Sequence, residues 1–208
     1  MAGGTSHGAG RVIAGTARGR PLVAPGEGTR PIGDRVKQTL FAILEPTIRG
    51  RAFLDLFAGS GAAGIEALSR GASRAVFVER DADAVKAIER NLAATALGGP
   101  EAKVVRSQVG SWFNAIAADP PRIGAPFAAI VMDPPYELPE LLAASLGSIA
   151  AAGPDGILAA DGVVVAKHFW KTPPAEIGLL RFARERRFGE TTLTFLRWAQ
   201  AVVGEEDG

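Results

Sequence analysis

Phe53-Leu-Asp-Leu-Phe-Ala-Gly-Ser-Gly-Ala-Ala-Gly64 reads as a short apolar strand, a tight glycine turn and the first turn of a helix. The segment Gly59-Ser-Gly-Ala-Ala-Gly64 fits the pattern G-x-G-x-x-G, in which glycines let the backbone approach a ligand and the helix start offers unpaired N–H groups. Twenty residues after Gly59, Glu79 closes the next apolar run, where an acidic side chain can accept hydrogen bonds from two ribose hydroxyls. On these features alone a nicotinamide-binding oxidoreductase is one reading. Asp55 argues against it: a carboxylate at the carboxyl end of the strand, four residues before the loop glycine, repels a pyrophosphate. The plain alternative for Asp55 is a buried polar residue that ties the loop to its own N–H groups, and both roles can hold together.

A ligand with a cationic amino group and a sulfonium, such as S-adenosylmethionine, suits Asp55 better. The surrounding pattern extends the fold. Strands are predicted at Ala52–Phe57, Arg74–Glu79, Ala102–Arg106, Phe127–Met132 and Gly162–Ala166, and helices at Ala62–Ser69, Asp81–Leu97, Val109–Ala117 and Pro139–Ala151. This alternation implies an α/β fold: a doubly wound, Rossmann-like, mostly parallel sheet with right-handed crossovers. Leu179–Arg187 and Thr191–Trp198, joined by Phe188-Gly189-Glu190, read as a closing antiparallel hairpin. Ahead of the sheet, Arg11-Val-Ile-Ala-Gly15 and Arg20-Pro-Leu-Val-Ala24 suggest a basic β-hairpin. A helix follows, with Asp34 as its N-cap, a stripe of Val36, Leu40, Ile43 and Leu44, and Pro46 as its stop. The expected organisation is a disordered tail at 1–10, a hairpin-and-helix extension at 11–50, the main domain at 51–200 and an acidic tail at 201–208.

A chain of 208 residues suits one full α/β domain, and 47% hydrophobic with 22% charged residues is ordinary for a globular protein. The net charge is +1, yet residues 1–37 carry Arg11, Arg18, Arg20, Arg30, Arg35 and Lys37 against Glu27 and Asp34. Arg181, Arg184, Arg186 and Arg187 form a second basic cluster. Such patches suit a polyanion, although solvated arginines also explain them singly. The absence of cysteine removes disulfides, thiolate metal sites and a cysteine nucleophile, and with only His7 and His168 no metal site is expected. The amino-terminal residues lack a signal-peptide pattern and no run is long enough to span a bilayer, so the expectation is a cytoplasmic protein without membrane association.

Asp133-Pro134-Pro135-Tyr136 follows the apolar run Phe127–Met132. Two prolines stiffen the chain and remove two backbone donors. A carboxylate, a free proline carbonyl and an aromatic ring therefore stand together at a strand's carboxyl end, where open α/β sheets bind ligands. They suit a planar base with an exocyclic amino group: two acceptors for its N–H bonds and a ring to stack on. A Pro-Pro turn capped by aspartate is the plain alternative.

With these segments in view, the chain resembles the class I S-adenosylmethionine-dependent methyltransferases of amino groups. More closely, it resembles the RsmD-type bacterial enzymes that methylate guanine N2 in small-subunit (16S) ribosomal RNA. The resemblance covers nearly the whole chain: Arg11–Gly15, Arg18-Gly-Arg20, Thr29-Arg-Pro31 with Asp34-Arg-Val36, Leu54–Gly61, Ile65-Glu-Ala-Leu-Ser-Arg-Gly71, Phe77-Val-Glu79, Asp133–Tyr136 and Phe188-Gly-Glu-Thr191. The glycine loop and Asp-Pro-Pro-Tyr belong to the wider superfamily; the hairpin followed by Thr29-Arg-Pro31 points to this family. It implies catalysis by Asp133, Pro134, Pro135 and Tyr136. It implies cofactor contacts from Asp55, Phe57, Ala58, Gly59, Ser60, Gly61, Glu79, Arg80, Gln108 and Val109. Arg11, Arg18, Arg20, Arg30 and Arg35 are the candidate RNA contacts. The partner implied is ribosomal RNA, free or in an assembling small subunit, met by a monomer.

Three positions depart from the family's usual pattern. Ile32 stands where Thr is usual; Ser107-Gln108-Val109 replaces an acidic residue that takes the adenine amino group; Lys167-His168-Phe169-Trp170 follows the fifth strand where Glu is frequent. None of these is expected to touch the Asp133–Tyr136 tetrad. His168, Trp170 and Trp198 read as packing residues, and Trp112 with Phe113 as the buried face of a short helix. Alternative readings are a methyltransferase of DNA adenine N6 or of another nucleobase or protein amine, the oxidoreductase, and a non-catalytic RNA-binding module. About 50 residues outside the main domain leave little room for a sequence-reading DNA module.

Overall fold

The computed structural model describes residues 8–26, 32–116 and 124–199. In chain order the elements are β1 (Gly8–Arg11), β2 (Pro21–Val23), α1 (Asp34–Ile48), β3 (Ala52–Leu56), α2 (Ala62–Ser69), β4 (Arg74–Glu79) and α3 (Ala82–Thr95). There follow β5 (Ala102–Arg106), α4 (Val109–Ile116), β6 (Phe127–Met132), α5 (Pro139–Ala152), β7 (Leu158–Phe169), β8 (Leu180–Phe188) and β9 (Thr191–Trp198). Seven strands form one sheet in the order β5-β4-β3-β6-β7-β9-β8. The first five are parallel; β9 pairs antiparallel with β7, and β8 with β9. The expected doubly wound sheet with its antiparallel end is therefore the observed one.

The chain starts the sheet at its centre. From β3 it moves outward through β4 to β5, then returns to β6 on the other side of β3. The carboxyl ends of β3 and β6 thus flank a topological switch point, where a crevice opens. Burial of β3 and β6 on both faces requires their apolar runs, which Asp55 alone interrupts. One face is covered by Phe41 of α1, Ile65 of α2 and Ile88 of α3 against Phe53 and Phe77. The other carries Trp112 and Phe113 of α4 and Leu146 of α5 against Leu54 and Val76. Gly64 is fixed by this packing, because a Cβ there would stand 2.2 Å from the Phe77 ring.

The amino-terminal hairpin shares the first of these cores through Ala9, Val12, Ala17 and Leu22. Polar groups dock it as well. Glu66, fully buried on α2, accepts the N–H groups of Ile13 (2.7 Å) and Ala14 (3.0 Å) and a hydrogen bond from Arg70 (2.7 Å). Ser69 Oγ accepts the Ala17 N–H and donates to the Ala14 carbonyl. The buried Lys37 ammonium donates to the Arg11 carbonyl.

Several element bounds differ from expectation. The paired strands lie at Gly8–Arg11 and Pro21–Val23, because Ile13 and Ala14 give their N–H groups to Glu66 rather than to a partner strand. Gly33, not Asp34, is the N-cap of α1; the Asp34 carboxylate instead takes Arg11 Nε at 3.2 Å. Pro46 does not stop α1. Leu44 and Ile48 are buried and hold the last turn down, and the Ala42 carbonyl freed by the proline belongs to an exposed residue. The strand expected at Gly162–Ala166 runs from Leu158 to Phe169, its start pairing with Phe127 and its end with Thr191–Leu193.

Gly15, with φ +84°, would place a Cβ 1.7 Å from the Ser69 carbonyl oxygen. Gly19, with φ +83°, faces open space. Gly15→Ala should therefore cost more than about 2 kcal/mol, a fall in Tm of roughly 4–8 °C or more. Gly19→Ala should cost only about 1 kcal/mol, the left-handed backbone penalty alone. Thermal unfolding of the two variants checks the ranking; equal losses would contradict it.

Candidate active site

After β3 the chain turns sharply. Phe57 has φ 59°, Gly59 54° and Gly61 74°, and the Ala58 N–H donates to the Val78 carbonyl at 3.1 Å, pinning the turn to β4. Gly61 caps α2 without a side chain. Asp55 supplies the missing acceptor from the strand, its Oδ2 taking the Gly64 N–H at 2.8 Å. The loop tie foreseen as the plain alternative for Asp55 is thus present, and Oδ1 accepts no hydrogen bond among the described residues. Asp55 is 2% exposed, and burial raises its pKa well above the ordinary value. The Gly64 N–H opposes that rise, while the charges of Asp133 and Glu79 add to it.

Glu79 closes the other side. Its Oε2 accepts the Gly59 N–H (2.8 Å), and its Oε1 those of Arg80 (2.7 Å) and Asp81 (2.9 Å). Asp81 in turn caps α3. The Ser107 N–H donates to the Glu79 carbonyl at 2.9 Å, so Gln108, exposed, and Val109, buried, begin α4 beside this strand end. Arg80 is exposed. One organising residue escaped the sequence reading: Asn91 gives Nδ2 to the carbonyls of Ser60 and Val23, both at 2.9 Å, and accepts the Val23 N–H at 2.8 Å. Its signal was available, an asparagine on the apolar stripe of α3 between Ala87, Ile88 and Leu92.

Across the switch point, the Asp133 N–H donates to the Leu56 carbonyl at 3.4 Å, which sets the start of Asp133-Pro-Pro-Tyr136 beside the glycine turn. Pro134 is buried and Pro135 exposed. Here an expectation fails. Lys167 does touch the tetrad: its Nζ lies 2.5 Å from Asp133 Oδ1 and 4.9 Å from the Tyr136 ring centroid. The register explains this, since β6 pairs with β7 up to Met132↔Ala166 and the next residue of each strand is Asp133 and Lys167. Burial raises the Asp133 pKa, and the Lys167 ammonium pulls against that rise without cancelling it. The Lys167 ammonium is disfavoured by burial, but Asp133 more than compensates and holds the lysine charged. Tyr136 Oη and Thr191 Oγ1 share a hydrogen bond of 2.8 Å, which anchors the ring to the β8–β9 turn. Beside it lies a cavity of about 350 Å³, lined among others by Pro135, Leu142, Lys167, Phe169 and Pro173.

The candidate RNA contacts divide. Arg11, Arg18, Arg20 and Arg35 are exposed on the hairpin and the start of α1, with Arg11 held by Asp34. Arg30, with Thr29 and Pro31, lies outside the described residues. His168 is buried with Nε2 on Thr194 Oγ1 at 2.9 Å, and Trp198 is buried with Nε1 donating to the Ala159 carbonyl at 3.1 Å. Trp112 and Phe113 are buried in edge-on contact. Trp170 is not a packing residue: it is 38% exposed, because it lies just beyond the end of β7. No helix among the described residues is long and apolar enough to cross a membrane.

Comparison with known proteins matches residues 10–197 to the family described as "Conserved hypothetical protein 95". The chain is 37% identical over 183 residues to "Putative rRNA methyltransferase YlbH" of Bacillus subtilis, covering 87% of this chain and 95% of that one. It is 41% identical over 127 residues to "Ribosomal RNA small subunit methyltransferase D" of Escherichia coli K12, covering 61% of this chain and 60% of the relative. Among solved structures, "Putative methyltransferase yhhF from Escherichia coli" superposes with a TM-score of 0.74 at 31% identity, over 92% of this chain and 99% of the other.

Because the Asp55 pKa is raised on folding, the folded state holds that proton more tightly than the unfolded chain, and stability falls as pH rises from 3.8 through the shifted value. Asp55→Asn keeps an acceptor for the Gly64 N–H and removes the group whose ionisation burial makes costly. At neutral pH it should raise the Tm of the ligand-free protein by about 2–4 °C for each kcal/mol recovered. It should also lower affinity for S-adenosylhomocysteine, whose amino group is cationic. Calorimetry and thermal unfolding read the two effects; a variant both less stable and unchanged in affinity would contradict the assignment.

Proposed function

The chain belongs to the Conserved hypothetical protein 95 family, and on that premise we propose that it transfers a methyl group from S-adenosylmethionine to the exocyclic N2 amino group of a guanine in small-subunit (16S) ribosomal RNA. The observation that carries the reading is the juxtaposition of Asp55 and Asp133 at the switch point, one on a glycine turn and one followed by two prolines and a tyrosine. The Escherichia coli relative's name, a small-subunit ribosomal RNA methyltransferase, supports the substrate.

Asp55, Phe57–Gly61, Glu79, Arg80, Gln108 and Val109 surround the place for the cofactor, which supplies an electrophilic methyl group on a sulfonium. The free oxygen of Asp55 would accept a hydrogen bond from the cofactor's amino group, and its carboxylate would offset that group's positive charge. On the other side, the Asp133 carboxylate and the Pro134 carbonyl accept the two N–H bonds of the target amino group. That nitrogen's lone pair is delocalised into the base until these acceptors draw it toward sp³ geometry. Methyl transfer would form the C–N bond as the sulfonium's C–S bond breaks, with the electron pair of the broken bond going to sulfur. The positive charge appearing on nitrogen is stabilised by the fixed Asp133 anion, an effect already organised before reaction. The same burial that raises the Asp133 pKa makes it a better acceptor for the proton the nitrogen sheds. The Lys167 ammonium favours the Asp133 anion and fixes Oδ1, leaving Oδ2 for the substrate. Tyr136 stacks the extruded base, a contact worth about 1–3 kcal/mol.

The hairpin and helix at 11–50 serve as the RNA-contacting part, through Arg11, Arg18, Arg20, Arg30 and Arg35, and 51–200 as the methyltransferase part. The protein acts in the cytoplasm as a monomer, on ribosomal RNA free or within an assembling small subunit.

Methyl transfer to ribosomal RNA from cells lacking the protein, followed by nucleoside analysis, should give N2-methylguanosine. N6-methyladenosine would overturn the guanine assignment, and stabilisation by NAD but not by S-adenosylhomocysteine would favour the oxidoreductase. Asp133→Ala should lower kcat on the order of 10²-fold or more with cofactor affinity retained. Lys167→Met removes the cation that pulls the Asp133 pKa down, so the acid limb of the pH–kcat profile should move to higher pH. A rate lowered equally at every pH would assign Lys167 a merely structural part.

A further inference from the structure

β8 is the outer strand of the sheet, exposed from Arg181 to Arg187, and carries four arginines against Glu185. Charge on an edge strand discourages pairing with another chain, and that alone accounts for arginines there. It does not account for Trp170. This indole is 38% exposed, and the Arg187 guanidinium lies over it, 4.0 Å from the ring centroid. The Lys171 ammonium stands 5.2 Å from the same ring. Arg181 is engaged with Glu176, whereas Arg187 and Lys171 form no salt bridge among the described residues.

The platform is continuous with the tetrad. Tyr136, Phe169 and Trp170 form an aromatic row with centroid separations of 6.4 and 6.2 Å. Its outer end is fixed by the β8–β9 turn: the Trp170 N–H donates to the Glu190 carbonyl at 3.0 Å, and Thr191 holds Tyr136. An exposed indole covered by one guanidinium and flanked by an ammonium offers a stacking face and two cations for phosphates. That combination fits unpaired nucleotides, since a base within a duplex has no free face.

We propose that Trp170, Arg187 and Lys171 form a second RNA-contact surface that holds an unpaired nucleotide next to the extruded base. This rests on the reading of Tyr136 as the ring that receives that base. Arg187, whose Nε donates to the Gly189 carbonyl at 2.8 Å, exchanges that bond and the indole for a phosphate, and the vacated face takes the neighbouring base. β8 lies at the opposite end of the sheet order from β5, and the β1–β2 hairpin is outside that sheet, so the surface adds a contact separate from the hairpin arginines.

The test is binding of a short fluorescent single-stranded RNA and of the same sequence as a blunt duplex, across a salt series, with calorimetry against S-adenosylhomocysteine as control. Trp170→Ala should weaken single-strand binding by about 5- to 150-fold and leave duplex and cofactor affinity unchanged. Trp170→Phe should restore most of it. Arg187→Ala with Lys171→Ala should flatten the single-strand salt slope by roughly 1.4 at most. Single-strand affinity unchanged in Trp170→Ala, or lost equally for duplex, would overturn the proposal. So would a double variant with an unaltered slope, which leaves β8 as a protected edge. Wild-type protein that binds or methylates no RNA would instead overturn the functional reading, a result the variants are not needed to see.

Discussion

The parallel pairing of β3 on both of its edges is the constraint from which the rest follows. Once β4 and β6 flank it, the chain must leave in one direction and return in the other, and the carboxyl ends of β3 and β6 are left side by side with no crossover helix between them. A hydrogen bond from the Asp133 N–H to the Leu56 carbonyl closes that junction. Everything chemical in the molecule is arranged around it: the glycine turn after one strand, the Pro-Pro segment after the other.

The junction concentrates negative charge. Asp55, Glu79 and Asp133 end three neighbouring strands, and burial makes the charges of Asp55 and Asp133 costly to hold. The three are handled differently. Glu79 is fully engaged by backbone donors, Asp55 by one donor only, and Asp133 by a lysine. Asp55 keeps an oxygen without a hydrogen-bond partner among the described residues, while the Lys167 ammonium orients the second carboxylate and favours its ionised form. Differences in partner, not in residue type, set the environments of the two carboxylates apart.

Much of this was legible in the sequence because the signals were local. Period, turn residues and short apolar runs placed the sheet strands and the glycine turn, and the tetrad announced itself by its prolines. What was not legible depended on pairing across the sheet. Lys167 is 34 residues from Asp133 and meets it only through the β6–β7 register. Asp34 was read as a cap, the commonest use of such a residue, yet a distant arginine claimed it. Pro46 was read as a stop, and burial of Ile48 outweighed it. Trp170 reads as a packing residue, but it stands one residue past the strand that would have covered it. Asn91 lay on an apolar stripe, where its polarity should have marked it.

The short helix α2 has two tenants. Its first turn is held by Asp55 and carries the glycine turn; its last turn presents Glu66 and Ser69 to the amino-terminal arm. Eight residues span only about 12 Å, so arm and ligand turn are mortised into one rod. Such an arm is not a module that recombination can exchange at will. Grafted onto another methyltransferase without this helix it would find no seat, and cut from this one it would leave a buried carboxylate facing missing donors. A change in the arm's seat on α2 is therefore felt at the glycine turn, through the helix they share.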